Sequence, residues 1–149
     1  MRTLATLAVG LFLSATLHAA ESSRFIKKIK LPSGQTAVVA EGDFEARSIG
    51  SFSVRLYDAA TPQDETTFFI AGLIRPRDGA IENLALADID GDQQPEIIVT
   101  VRSVGTGGYI SVHAFAFKKK NLLVRAFVEG LRPDADPVAA VRKSLRKGK

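Results

Sequence analysis

Four carboxylates crowd into one short stretch: Asp88, Asp90, Asp92 and Glu96, in the run Ala87-Asp88-Ile89-Asp90-Gly91-Asp92-Gln93-Gln94-Pro95-Glu96. A hard cation such as Ca²⁺ takes several carboxylate and carbonyl oxygens converging from one loop, and Gly91 permits the bend that convergence needs. The same side chains can instead knit a turn, because Asp accepts hydrogen bonds from backbone N–H groups a few residues on. The spacing is not that of an EF-hand: counted from Asp88 the glycine is fourth rather than sixth, and Val99 stands at the twelfth position. A second cluster follows, Ser103-Val104-Gly105-Thr106-Gly107-Gly108-Tyr109. Its three glycines admit positive φ and close backbone approach. It is no phosphate cradle, since the G-x-x-x-x-G-K-[ST] pattern is missing and no helix is expected after it. Its chemistry is hydrogen-bond donation, from the Ser103 and Thr106 hydroxyls and from bare N–H groups. Tyr109 adds an amphipathic aromatic of the kind enriched at interfaces. Such a loop suits a recess that carries carboxylates.

Catalytic chemistry finds little to work with. There is no cysteine, which removes thiol nucleophiles and thiolate metal sites. No G-x-S-x-G elbow occurs. After the first twenty residues the chain has one histidine, His113, inside a strand-like segment and facing away from Val112. The carboxylates gather in a single turn instead of forming an opposed pair. These features point away from an enzyme.

The elements that position the two loops read as strands. Phe25 to Leu31 ends at the turn signal Pro32-Ser33-Gly34, and Thr36 to Glu41 follows. Residues Ser51 to Tyr57 alternate, with Phe52, Val54 and Leu56 on one face and Ser53, Arg55 and Tyr57 on the other. Further strands are expected at Thr66–Ile74, Asn83–Ala87, Pro95–Val101, Tyr109–Phe117 and Leu122–Val128. No segment between them is long enough for a crossover helix, which excludes a parallel α/β sheet. The pattern predicts an all-β fold, an antiparallel β-sandwich of about eight strands over residues 21–131. A short basic helix or tail should occupy 132–149. Asp136-Pro137 is a good helix start, and Val138, Val141 and Leu145 share a face. This helix is expected to pack loosely and to fray after Leu145. The acidic turn and the glycine loop thus sit at opposite ends of one strand.

The first twenty residues read as a secretory signal peptide: Arg2, an apolar stretch from Leu4 to Leu17, and small residues at Ala19-Ala20. Cleavage is expected after Ala20, with no lipid-bearing cysteine and no second apolar run of membrane length. Residues 21–131 carry 13 basic and 14 acidic side chains, so the high isoelectric point belongs to the tail. A near-neutral body gives no footprint for nucleic acid. A basic tail can touch anionic surfaces such as peptidoglycan, or simply solvate a helix face.

Two resemblances follow. The core Asp88-x-Asp90-Gly91-Asp92 is similar to the calcium loops of FG-GAP/VCBS-type propeller blades. That likeness implies a Ca²⁺ site formed by Asp88, Asp90, Asp92 and Glu96 in an exported adhesion or ligand-binding module. Those loops come in tandem, and this chain has one copy. Taken with the strand and the loop Gly105-Thr106-Gly107-Gly108-Tyr109-Ile110-Ser111-Val112-His113-Ala114-Phe115, the acidic turn more fully resembles the periplasmic inhibitors of invertebrate-type (i-type) lysozyme. That resemblance implies a periplasmic, non-enzymatic β-sandwich, dimeric by analogy, needing no cofactor, with lysozyme as partner. In the family a Ser-Gly-x-Tyr loop enters the lysozyme cleft. The matching positions here are Thr106, Gly107, Gly108 and Tyr109, with Thr106 standing where the family has Ser. The implied inhibitory loop is Ser103, Gly105, Thr106, Gly107, Gly108 and Tyr109.

Overall fold

The computed structural model describes residues 23–147. The expected leader, residues 1–20, lies outside them. Eight strands form two antiparallel four-stranded meanders: β1 (Ile26–Lys30), β2 (Thr36–Glu41), β3 (Ile49–Asp58) and β4 (Phe68–Asp78), then β5 (Ala80–Ala87), β6 (Glu96–Arg102), β7 (Ile110–Lys118) and β8 (Asn121–Leu131). One helix, α1 (Pro137–Lys147), closes the described chain. The predicted sandwich and helix are what the structure contains. The chain changes sheet only between β4 and β5, through Gly79 at φ +118. A Cβ there would lie 2.0 Å from the carbonyl oxygen of Arg102, so only glycine fits that corner.

The alternating residues of β3 face the second sheet: Phe52, Val54 and Leu56 are fully buried and pack with Ile97, Val99, Val101 and Phe115. Truncating Phe52 or Phe115 to Ala would cost about 3–5 kcal/mol at a site packed this closely. A second cluster lies on the far side of the second sheet, where Ile98, Val112 and Ala114 meet Val141 of α1. That explains why β6 is apolar on both faces at Ile97, Ile98, Val99 and Val101: both of its faces are covered.

Several boundaries differ from the sequence reading. Strand β4 runs through Arg75-Pro76-Arg77 to Asp78, because it is a sheet edge where a proline costs no ladder bond. Strand β5 begins at Ala80, and β8 continues to Leu131. The helix is neither loose nor frayed after Leu145. Asp136 Oδ1 caps it, accepting the Val138 and Ala139 N–H groups at 2.9 and 3.2 Å. Val141 is wholly buried, and the Arg142 guanidinium donates twice to the Asp88 carbonyl oxygen, at 3.2 and 2.8 Å.

Candidate functional site

The loop Ser103–Tyr109 joins β6 to β7 and is braced from inside. At its neck the Ser103 N–H donates to the Tyr109 carbonyl at 2.9 Å, and within it Gly108 N–H donates to the Gly105 carbonyl at 3.1 Å. Ser103 Oγ accepts the Gly105 N–H at 3.2 Å, so that hydroxyl helps to shape the turn. Of the three glycines only Gly108 takes a positive φ, +55. Gly107 serves close approach: a Cβ there would lie 2.3 Å from Tyr109 Cε2, so the phenol ring lies across it. Gly105 has neither constraint.

Beneath the loop lies Arg102, which the sequence reading passed over. Its Nη1 donates to the Gly108 carbonyl at 2.8 Å, and its Nη2 reaches the Pro133 carbonyl at 3.5 Å. Glu82 holds the guanidinium in place through Nε and Nη2, at 3.0 and 2.9 Å. The available signal was an arginine closing a mostly apolar strand immediately before a glycine loop; its partners on β5 and after β8 come only from folding. With its neck closed and its bend held by Arg102, the loop presents exposed Val104, Thr106 and Tyr109, the last 54% exposed. Among the described residues no hydrogen bond engages the Thr106 hydroxyl.

The acidic turn is built the other way. Asp88 accepts the Gly91 N–H at 2.7 Å through Oδ1 and the Gln93 N–H at 3.0 Å through Oδ2. Asp90 accepts the Asp92 N–H at 3.3 Å and the Arg125 Nε at 3.1 Å. Asp92 accepts the Gln94 N–H at 2.9 Å and the Lys118 ammonium at 2.6 Å. Glu96, only 1% exposed, accepts the Ile89 N–H at 3.0 Å. Of the four predicted ligands, Asp88, Asp90 and Glu96 bring one oxygen each within 4.8 Å of the others, while Asp92 stands outside that group, on Lys118. Lys118 holds the Asp92 carboxyl below its ordinary range, with help from the Gln94 N–H. Burial pushes the Glu96 carboxyl above its ordinary range, and the charges of Asp90 and Asp92 add to that.

His113 is a core residue. It is 3% exposed and packed against Phe52, Phe127 and Phe115, with ring centroids 5.0, 4.6 and 6.2 Å away. Its Nδ1 has no hydrogen-bond partner, and burial, with the Arg75 charge, lowers its pKa to about 4. A cavity of about 760 Å³ separates the start of β3 from the neck of the glycine loop, lined by Ile49, Ser103, Tyr109, His113 and Phe127 among others. No described helix is long and apolar enough to cross a membrane.

A two-sheet sandwich that buries its one described histidine and braces an exposed, hydroxyl-bearing loop is a scaffold that presents that loop to solvent. The chain belongs to the family of periplasmic lysozyme inhibitors of I-type lysozyme, whose model it matches over residues 23–145. That family is one of inhibitors, not enzymes. The chain is similar to the crystal structure of the periplasmic I-type lysozyme inhibitor of Aeromonas hydrophila, at 47% identity and a TM-score of 0.74 over 78% of this chain and 98% of the other. It is equally similar, at 47% identity and TM-score 0.74, to the same inhibitor in its complex with Meretrix lusoria lysozyme, over 79% of this chain and 95% of the other. No curated protein gives a significant match.

Proposed function

We propose that this protein inhibits an i-type lysozyme by inserting the loop Ser103–Tyr109 into the catalytic cleft. The observation that carries the reading is the contrast inside the loop: its neck and bend are tied by backbone hydrogen bonds and by Arg102, while the Thr106 and Tyr109 side chains stand exposed. A glycosidase places two carboxyl groups across the scissile bond, and a hydroxyl with N–H groups between them forms charge-assisted hydrogen bonds. Thr106 donates to a catalytic carboxylate, Tyr109 packs in a neighbouring sugar subsite, and Gly107 and Gly108 keep the loop thin. A loop already rigid loses little entropy on docking. The membership of the chain in the inhibitor family supports the same reading.

The test is a set of inhibition constants against an i-type lysozyme, with melting curves as controls. Thr106→Ala and Tyr109→Ala should each weaken inhibition by at least ~30-fold, the cost of a hot-spot side chain. Thr106→Ser should be neutral or better. Full inhibition by a well-folded double mutant rejects the loop, and no inhibition by the parent rejects the function.

The acidic turn reads as structural in this scheme, with Lys118 and Arg125 supplying the positive charge a calcium ion would bring. Export completes the proposal: residues 1–20 act as a cleaved leader and the mature chain begins at Glu21. The intact mass of the exported protein tests this.

A further inference from the structure

Phe44 is an aromatic for which the fold itself has no use. It sits in the β2–β3 loop, residues 42–48, with its side chain fully in solvent at 104% relative exposure. Its φ is +60, a conformation that bulky L residues rarely adopt and that Gly or Asn takes readily. Its neighbour points the opposite way. Glu45 turns inward and accepts both the Ser51 N–H and the Ser51 hydroxyl, the latter at 2.7 Å. The inward carboxylate fits because positions 42 and 50 are glycines: a Cβ on either would lie 2.5 or 2.3 Å from it. Buried Arg77 clamps the rest of the loop, donating to the Ala46 and Arg47 carbonyls at 2.9 Å each, while Arg24 donates to the Glu45 carbonyl. Arg47 is tied to buried Glu41 at 3.0 Å. A loop held this firmly, with one aromatic turned outward in a strained conformation, is built to present that ring.

The ring stands at the same end of the sandwich as the glycine loop. The Gly79 N–H donates to the Ser48 carbonyl at 2.8 Å, and a Cβ on Gly79 would lie 2.8 Å from the Ser103 Cα, so the feet of the two loops nearly touch. Ile49 and Tyr109 line the same cavity. Phe44 is four Cα steps from Ser48, which keeps its backbone within about 14 Å of that junction.

We infer that Phe44 is a second anchor on the same lysozyme, seated in an apolar recess on the rim of the cleft that the glycine loop enters. The inference rests on the inhibitory reading given above. Aromatic side chains dominate the energetics of such interfaces, and a pre-set loop docks at small entropic cost. The two anchors divide the work: the glycine loop meets carboxylates, and Phe44 meets an apolar surface.

The experiment compares the parent, Phe44→Asn, Phe44→Trp and Tyr109→Ala by inhibition constant and melting temperature. Phe44→Asn should weaken inhibition about tenfold or more while the melting temperature stays level or rises, since Asn suits φ +60. Phe44→Trp should keep most of the inhibition. A Phe44→Asn protein that inhibits like the parent, while Tyr109→Ala does not, overturns this inference and leaves the inhibitory loop standing. A drop in melting temperature for Phe44→Asn also overturns it, because the ring would then serve the fold. A parent that inhibits no i-type lysozyme overturns the functional reading and this inference with it.

Discussion

The two turns that flank β6 use the same kinds of atoms to opposite ends. In the acidic turn each aspartate oxygen that points inward meets a backbone N–H, and the remaining charge is met by Lys118, 26 residues beyond Asp92, and Arg125, 35 beyond Asp90. In the glycine loop two backbone hydrogen bonds and Arg102 hold the bend and leave a hydroxyl and a phenol outside. One turn has consumed its chemistry in holding the fold, and the other has been relieved of that duty by Arg102. Polar residues in a loop mark a binding surface when the fold does not need them, and their density alone does not tell which case holds.

The contrast can be broken first at Gly107. Any side chain there must displace the Tyr109 ring, so Gly107→Val should weaken lysozyme inhibition at least ~100-fold, about 2.7 kcal/mol, with little change in melting temperature. Inhibition equal to the parent's would erase the distinction between the loops.

Acid should separate the core beside β6 from the acidic turn next. His113, paired with Val99 at the middle of β6, has a folded pKa of about 4 against an ordinary 6.5, so the unfolded chain takes up its proton first. Its contribution is therefore complete above pH 6.5 and is lost as pH falls towards 4, on the order of 3 kcal/mol in all. At the acidic turn the raised pKa of Glu96 works in the opposite sense, favouring the fold as pH falls through it. The lowered pKa of Asp92 brings a loss only once pH falls below its ordinary 3.8. Denaturant titrations from pH 7 to 4.5 should show falling stability in the parent and a flatter profile in His113→Phe. A profile equally steep in both would place the titrating group elsewhere.

Removing the brace should matter less than removing the anchor. Arg102→Ala leaves the loop in place but frees the Gly108 carbonyl, and about tenfold weaker inhibition is expected, the worth of one charge-assisted hydrogen bond. Unchanged inhibition would show that the loop needs no support from below.

The acidic turn should show the converse. Asp90→Asn with Asp92→Asn should lower stability only slightly, as the loss of partly exposed ion pairs does, and leave the inhibition constant unaltered. Added Ca²⁺ should not move the parent's melting temperature; a calcium-dependent rise would restore a metal to this turn. Smallest of all, Lys143→Ala on the exposed face of α1 should change neither inhibition nor stability.

Much of this was legible in the residues themselves. The alternation through Phe52, Val54 and Leu56, the apolar run of β6, the Asp136-Pro137 helix start and the glycine loop are local signals. They follow from backbone periodicity and from what a few neighbouring residues can do for one another. Tertiary structure alone decided the rest. Whether the acidic carboxylates had charge to spare depended on Lys118 and Arg125, which only strand pairing brings to the turn. The firmness of the helix depended on an outer sheet face that Val141 could fill and on the Asp88 carbonyl within reach of Arg142. The roles of Arg102 and Phe44 depended on which strand ends share one end of the sandwich. Local patterns act within a turn or two of chain, whereas the partners that engage a polar group arrive from tens of residues away, so sequence could name both loops and only the folded molecule could say which one keeps its side chains unengaged.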